Sequence, residues 1–157
     1  MSTAVHLIRH AKAKNRLTWE EPDHLRPLTK RGRREADAIA ARLGEEPLSL
    51  LVSSPFVRCL QTLEPLAVGL DLPIETTDAL AEGSDGAHAA ELMLTLAATG
   101  SIACCTHADV LVDVVALLAE AGIPLDGPRV APVASTWVLA VDDGRFVGAR
   151  FVEQPPR

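Results

Sequence analysis

A chain of 157 residues, 48% hydrophobic and 23% charged, has the length and composition of one ordinary globular domain, and it is read as a single domain over 1–157. A net charge of -6 disfavours a nucleic-acid polymer as partner, and no apolar run reaches the length of a membrane span. The chain has no basic and apolar leader before its first apolar run, so a cytoplasmic protein away from membranes is expected. Cys59, Cys104 and Cys105 lack C-x-x-C spacing and read as small buried hydrophobes, without a metal or other cofactor.

The first predicted element is an apolar strand, Val5 to Ile8, that stops at Arg9-His10. Lys12 to Pro27 is a long polar loop holding Trp19, Pro22 and Pro27, the kind of connection that carries function in compact domains. Thr29 offers an N-cap to a helix with Ala36, Ile39, Ala40 and Leu43 at helical spacing, closed by Gly44. Leu48 to Ser53 is a second strand. Ser54 and Pro55 open another helix, lined by Val57, Leu60, Leu63 and Ala67, which Pro65 is expected to kink or divide. A short strand at Pro73 to Thr76 leads to an acidic loop, Asp78 to Gly86, and a helix at Ala87 to Ala98 with Leu92, Met93 and Leu96 buried. The strand Ile102 to Cys105 ends at Thr106-His107, and the helix after it, Val110 to Ala121, is apolar on most faces and reads as central. Ala134 to Val141 and Arg145 to Val152 flank Asp142-Asp143-Gly144, a hairpin at the sheet edge, and Pro155 to Arg157 read as a frayed tail.

Strands separated by helices imply a three-layer α/β sandwich: a mostly parallel central sheet, helices on both faces and a C-terminal antiparallel hairpin. Parallel strands send their carboxyl ends to one edge, where ligands of open α/β sheets bind. Arg9, His10, Arg58 and His107 follow three such ends and therefore converge. Two guanidiniums with two imidazoles suit a tetrahedral dianion better than a metal ion. Neighbouring cations disfavour the imidazolium form of His10, leaving a neutral nitrogen able to attack phosphorus. The charge is also lopsided: Arg9, Lys12, Lys14, Arg16, Arg26, Lys30, Arg31, Arg33 and Arg34 face only Glu20, Glu21 and Asp23 over that interval, which favours an anionic partner.

These residues resemble the histidine phosphatase superfamily, whose signature is an Arg-His pair ending the first strand. Leu7-Ile8-Arg9-His10-Ala11, Leu28-Thr29-Lys30-Arg31-Gly32, Ser53 to Thr62 and Thr106-His107 fall in the family's order. The compact size and the Arg-His-Ala-Lys-Ala version are similar to the SixA-like branch, and closer still to the phosphatase domain that follows a Nudix domain in some bacterial proteins. The resemblance implies a phosphoglycerate mutase-like fold and a metal-independent phosphatase. His10 would form a phosphohistidine while Arg9, Arg58 and His107 hold the phosphoryl oxygens, and Glu82 in Leu80-Ala81-Glu82-Gly83 would protonate the leaving group. Asp78 and Asp85 are alternatives to Glu82, and an ordinary surface glutamate is the plain reading.

Ala11 stands where the family usually has glycine, a change this branch tolerates; where the mutases place Ser and Asn the chain has Ala13, Asn15 and Arg16 in a different register, and its short length leaves little room for a lid over the intermediate, so hydrolysis is expected rather than transfer. The expected partner is a phosphorylated small molecule, nucleotide-like in one reading, or a phosphohistidine protein in another; a non-catalytic phosphate-binding module is the third. Lys12, Lys14 and Arg16 are either contacts for the substrate body or solvated loop charges. Trp19 is either a platform for a base or a cover for the core. His6 reads as a core histidine with one satisfied nitrogen, His24 and His88 as exposed, and Asp109 and Asp113 as exposed or first-turn acids of their helix.

Overall fold

The computed structural model describes residues 1–153. Its strands are β1 (Ser2–Arg9), β2 (Leu48–Ser53), β3 (Ile74–Thr76), β4 (Ser101–Thr106), β5 (Leu125–Asp126), β6 (Thr136–Asp142) and β7 (Arg145–Val152). The α-helices are α1 (Lys30–Leu43), α2 (Val57–Leu70), α3 (Gly86–Leu96) and α4 (Ala108–Glu120), with 3-10 turns at Asp23–Leu25 and Asp78–Leu80. One seven-stranded sheet runs in the order β3-β2-β4-β1-β6-β7-β5. β1, β2, β3 and β4 are mutually parallel where they pair; β6 joins β1 antiparallel and β7 joins β6 antiparallel.

The alternation of side chains along each strand explains the layers. On β1, Val5 and Leu7 enter one core cluster and Ile8 the other; on β4, Ile102 and Cys104 oppose Ala103 and Cys105 in the same way. α3 and α4 cover the first face with Ala89, Met93, Val110, Leu111, Val114 and Leu118, and α1 and α2 cover the second with Ala36, Ile39, Leu43, Cys59, Leu63 and Leu66. A strand buried on both faces has no polar side, which is why β1 and β4 read as continuous apolar runs.

Several expectations are corrected. Ser54 is not the N-cap of α2: that position is Phe56, whose own N–H the Ser54 oxygen accepts while the same hydroxyl reaches His107. The buried face of α2 is Arg58, Cys59, Thr62, Leu63 and Leu66, so of the expected stripe only Leu63 is fully buried. Pro65 lies inside α2 without dividing it. α4 is one-sided rather than central, with Val112 exposed while Val110, Leu111, Val114, Val115 and Leu118 are buried. α3 buries Met93 with Ala89, whereas Leu92 and Leu96 are only partly covered. The hairpin turns at Asp143 and Gly144, both at positive φ, but β7 is not the edge: the two-residue β5 pairs parallel outside it. Apolar periodicity has no purchase on a strand of two residues, so no sequence signal marks β5. The expected tail at Pro155 to Arg157 lies outside the described residues.

Register places the site. Arg9 lies opposite Thr106 and Ser53 opposite Cys105, so β1, β4 and β2 end within a residue of one another. The ladder continues one step past each end, with His10 N–H donating to Thr106 O at 3.1 Å and Ser54 N–H to Cys105 O at 3.0 Å.

Candidate active site

The three strand ends lead into an open cleft of about 950 Å³ whose lining includes Arg9, His10, Lys12, Lys14, Arg16, Glu82 and Asp109. Arg58 and His107 stand at the same rim, fully buried or nearly so. His10 and His107 meet edge to face, their ring centroids 5.4 Å apart.

His10 is buried, and its Nδ1 pairs with the Ala11 carbonyl at 2.8 Å. A carbonyl accepts only, so Nδ1 carries the hydrogen and Nε2 keeps a lone pair. Burial, followed by the charges of His107, Arg58 and Arg9, lowers the His10 pKa to about 3 against the opposing pull of that Ala11 bond. The ring is therefore neutral at physiological pH, with one nitrogen free to act as a nucleophile. Ala11 is itself fixed, its N–H donating to Thr62 Oγ1 at 3.0 Å while the Thr62 hydroxyl donates to Arg58 O at 2.7 Å. The first turn of α2 thus sets the peptide that sets the histidine.

His107 Nε2 lies 2.9 Å from Ser54 Oγ, and that oxygen also accepts the Phe56 N–H at 3.2 Å. Cys59 Sγ also lies 3.6 Å from Nε2; with the Ser54 hydroxyl donating to that nitrogen, the imidazole hydrogen is assigned to Nδ1. His107 Nδ1 is buried and unpartnered among the described residues, 3.8 Å from Glu82 Oε1. Arg9 is held through its terminal nitrogen by Ala131 O at 2.8 Å, and its Nε is buried without a partner, as is that of Arg58. An unpaired buried donor costs about 1–3 kcal/mol. Three such donors on one rim describe a place for an anion.

The Arg58 tips are occupied. One terminal nitrogen donates to Asp23 O at 2.9 Å, and the other reaches Asp23 Oδ2 at 3.0 Å and Glu82 Oε1 at 3.3 Å. Glu82 also accepts from Arg16 at 3.1 Å, and Arg26 holds Asp23 Oδ1 at 2.9 Å. Burial alone would raise the Asp23 carboxyl, but the Arg26 hydrogen bond and the Arg58 charge outweigh it and hold the pKa below its usual value.

Sequence reasoning grouped Arg9, His10, Arg58, His107, Glu82, Lys12 and Arg16, and the fold brings all seven to this rim; Lys12, Lys14 and Arg16 are exposed along the cleft. Asp23, Ser54 and Thr62 were not singled out for the site. Ser54 and Thr62 lie in the Ser53 to Thr62 block, but nothing local in the sequence marks their targets. Asp109 and Asp113 are exposed, Asp109 in the first turn of α4, as expected; they also accept the N–H groups of Gly83 at 2.7 Å and Gly86 at 3.0 Å and so pin the loop that carries Glu82. Asp78 and Asp85 are not on the rim described above; the Asp85 side chain caps α3 instead. His24 and His88 are exposed as expected; His6 is buried, but its Nδ1 has no partner rather than a satisfied bond.

A profile of the histidine phosphatase superfamily (branch 1) matches residues 5–90. The chain belongs to that superfamily. It is 34% identical over 153 residues to an 8-oxo-(d)GTP phosphatase of Mycolicibacterium smegmatis, a match covering 95% of this chain and 48% of that protein. The chain thus spans about half the length of this curated relative. Among solved structures it resembles the protein histidine phosphatase SixA complexed with tungstate, with a TM-score of 0.77, 24% identity and coverage of 97% and 96% of the two chains. It also resembles the mycobacterial glucosyl-3-phosphoglycerate phosphatase Rv2419c, with a TM-score of 0.71, 16% identity and coverage of 96% and 97%. These likenesses carry the fold, a mixed α/β sheet flanked by helices and closed by an antiparallel hairpin. Among the described residues no helix is long and apolar enough to cross a membrane.

Proposed function

We propose that this chain is a metal-independent phosphatase that removes a terminal phosphate from a small nucleotide-like substrate through a phosphohistidine on His10. The observation that carries the reading is the neutral His10, with Nδ1 committed to Ala11 O and Nε2 left with its lone pair, beside three unpartnered buried donors.

In the first step the Nε2–P bond forms as the bond from phosphorus to the leaving oxygen breaks, with Arg9, Arg58 and His107 Nδ1–H offsetting charge on the phosphoryl oxygens. Glu82, which takes up a proton as the phosphoryl group displaces it from Arg58 and Arg16, gives that proton to the leaving oxygen. In the second step water attacks phosphorus, the P–N bond breaks, and Glu82 takes the proton of that water. A phosphoryl group competes for the guanidiniums of Arg58 and Arg16 that now hold Glu82, so substrate arrival itself frees the carboxyl for proton transfer. The name of the mycobacterial relative supports a nucleotide substrate.

The test is phosphate release from nucleotides, sugar phosphates, an aryl phosphate and a phosphohistidine protein in excess chelator, comparing the wild type with His10→Ala. Chelator-resistant release that vanishes in the variant is the expected result. Release from the phosphohistidine protein alone would replace the substrate class, and release that survives in His10→Ala would overturn the mechanism.

A further inference from the structure

Arg16 and Glu82 line two hollows at once. One is the His10 cleft; the other is a groove of about 300 Å³ completed by Trp19, Glu21 and Asp23. The Arg16–Glu82 ion pair, 3.1 Å long, forms the sill between them.

Trp19 belongs to neither core cluster, which removes the reading of it as a cover for the core. It is half-buried, and its Nε1–H donates to Pro22 O at 3.1 Å. With the N–H used inside the chain, the indole has its π faces left to offer. The segment around it is ordered by its own bonds: Leu17 N–H donates to Asn15 Oδ1 at 2.9 Å, and Leu25 N–H to Pro22 O at 3.0 Å. A large ring is thus held ready in a groove whose other lining residues are all charged.

Charge separates the two hollows. Arg9, Lys12, Lys14 and Arg16 make the cleft basic, whereas three of the five groove residues are carboxylates. The groove therefore rejects a second phosphate and accepts an uncharged polar body. Among the described residues Glu21 has no ion-pair partner or side-chain hydrogen bond, so its carboxylate is available to N–H donors on such a body.

We propose that the groove is the leaving-group subsite for a nucleobase, stacked on Trp19 with its N–H edge toward Glu21, while the phosphates lie across the sill in the cleft. This rests on the reading that His10 receives the phosphoryl group, and it makes Trp19 a specificity residue outside the reacting atoms.

The test uses GTP and inorganic triphosphate, which share a terminal phosphate and differ in the ring. In Trp19→Ala the ratio of kcat/KM for GTP over triphosphate should fall roughly tenfold, as loss of a base–aromatic stack does, and Trp19→Phe should recover most of it. An unchanged ratio with both substrates still hydrolysed overturns the subsite. Wild-type hydrolysis of triphosphate or a phosphohistidine protein but not GTP also overturns it, and leaves the His10 mechanism standing. If the wild type hydrolyses nothing, the function proposed above fails, and fluorescence decides the subsite separately. Trp137 is fully buried, so quenching by GTP reports Trp19. Quenching lost in Trp19→Phe supports the subsite, and absence of quenching overturns it.

Discussion

The rim of strand ends and the two loops that lie over it are held by different forces. On the rim, Arg58 and His107 are almost fully buried and His10 nearly so, and their positions follow from sheet register and short bonds to backbone, as with His10 on Ala11 O and Arg9 on Ala131 O. Over it, the 12–27 and 82–86 loops meet through charged groups that are more than one-third exposed: Asp23, Glu82 and Arg16. Packed elements keep a fixed geometry, whereas half-exposed ion pairs are individually worth little and exchange partners readily. The rim is thus suited to phosphoryl chemistry common to a family, and the loops to choosing what carries the phosphate.

Breaking the rim should have the largest effect. His10→Ala should lower kcat by on the order of a thousandfold or more while the circular dichroism spectrum stays native, since in the proposed mechanism the residue contributes the bond to phosphorus. Arg58→Ala should follow, with a loss of kcat/KM on the order of a hundredfold and weakened vanadate binding by titration. Vanadate affinity equal to that of the wild type would remove Arg58 from the anion site.

Acting on the loops should give smaller, substrate-dependent losses. Glu82→Gln should slow an alkyl phosphate or nucleotide, which needs its leaving oxygen protonated, by about tenfold to a hundredfold more than an activated aryl phosphate. Asp109→Ala frees the Gly83 N–H and loosens the Glu82 loop, so it should show the same bias at lower amplitude in the same pair of assays. An equal loss on both substrates would assign Glu82 a binding role in place of proton transfer.

The rim also carries a pH signature. Burial and the nearby cations lower the His10 pKa from 6.5 to about 3 in the folded chain. As pH falls through that window the unfolded chain takes up a proton that the folded chain refuses, so His10 makes stability decline from about pH 6.5 downward. Denaturant unfolding at several pH values should show that decline lessened in His10→Ala. The wild-type activity profile should show no His10 protonation near pH 6.5. The smallest effect expected is at Thr29, whose hydroxyl accepts Gly32 N–H at 3.0 Å at the start of α1. Thr29→Ala should cost about 1 kcal/mol of stability by denaturant titration.

How much was legible follows the same division. Apolar runs ending at Arg9-His10, Ser53 and Thr106-His107 gave the parallel strands, and parallel strands bring their carboxyl ends together, so the rim could be assembled from sequence. Thr29 as a cap and Asp142-Asp143-Gly144 as a turn are local signals, and the structure has both. What failed was non-local. Ser54 looks like a helix cap in sequence, but its hydroxyl bonds His107, 53 positions away; Asp109 is the first-turn acid it looks like, but nothing local shows that it also anchors Gly83. Asp23 lies in a polar loop where every residue type is ordinary, and only the fold reveals that it caps Arg58. The α2 face was misjudged because a buried arginine and a threonine stand where the apolar pattern expects leucines.

The most direct measurement is to trap the enzyme during turnover of a nucleotide labelled in its terminal phosphate, quench in alkali, and map the label by mass spectrometry. An acid-labile phosphoryl group on His10, formed at least as fast as phosphate is released and absent from His10→Ala, is the predicted result. Phosphate release at full rate with no label on His10, or with the label on another residue, would contradict it.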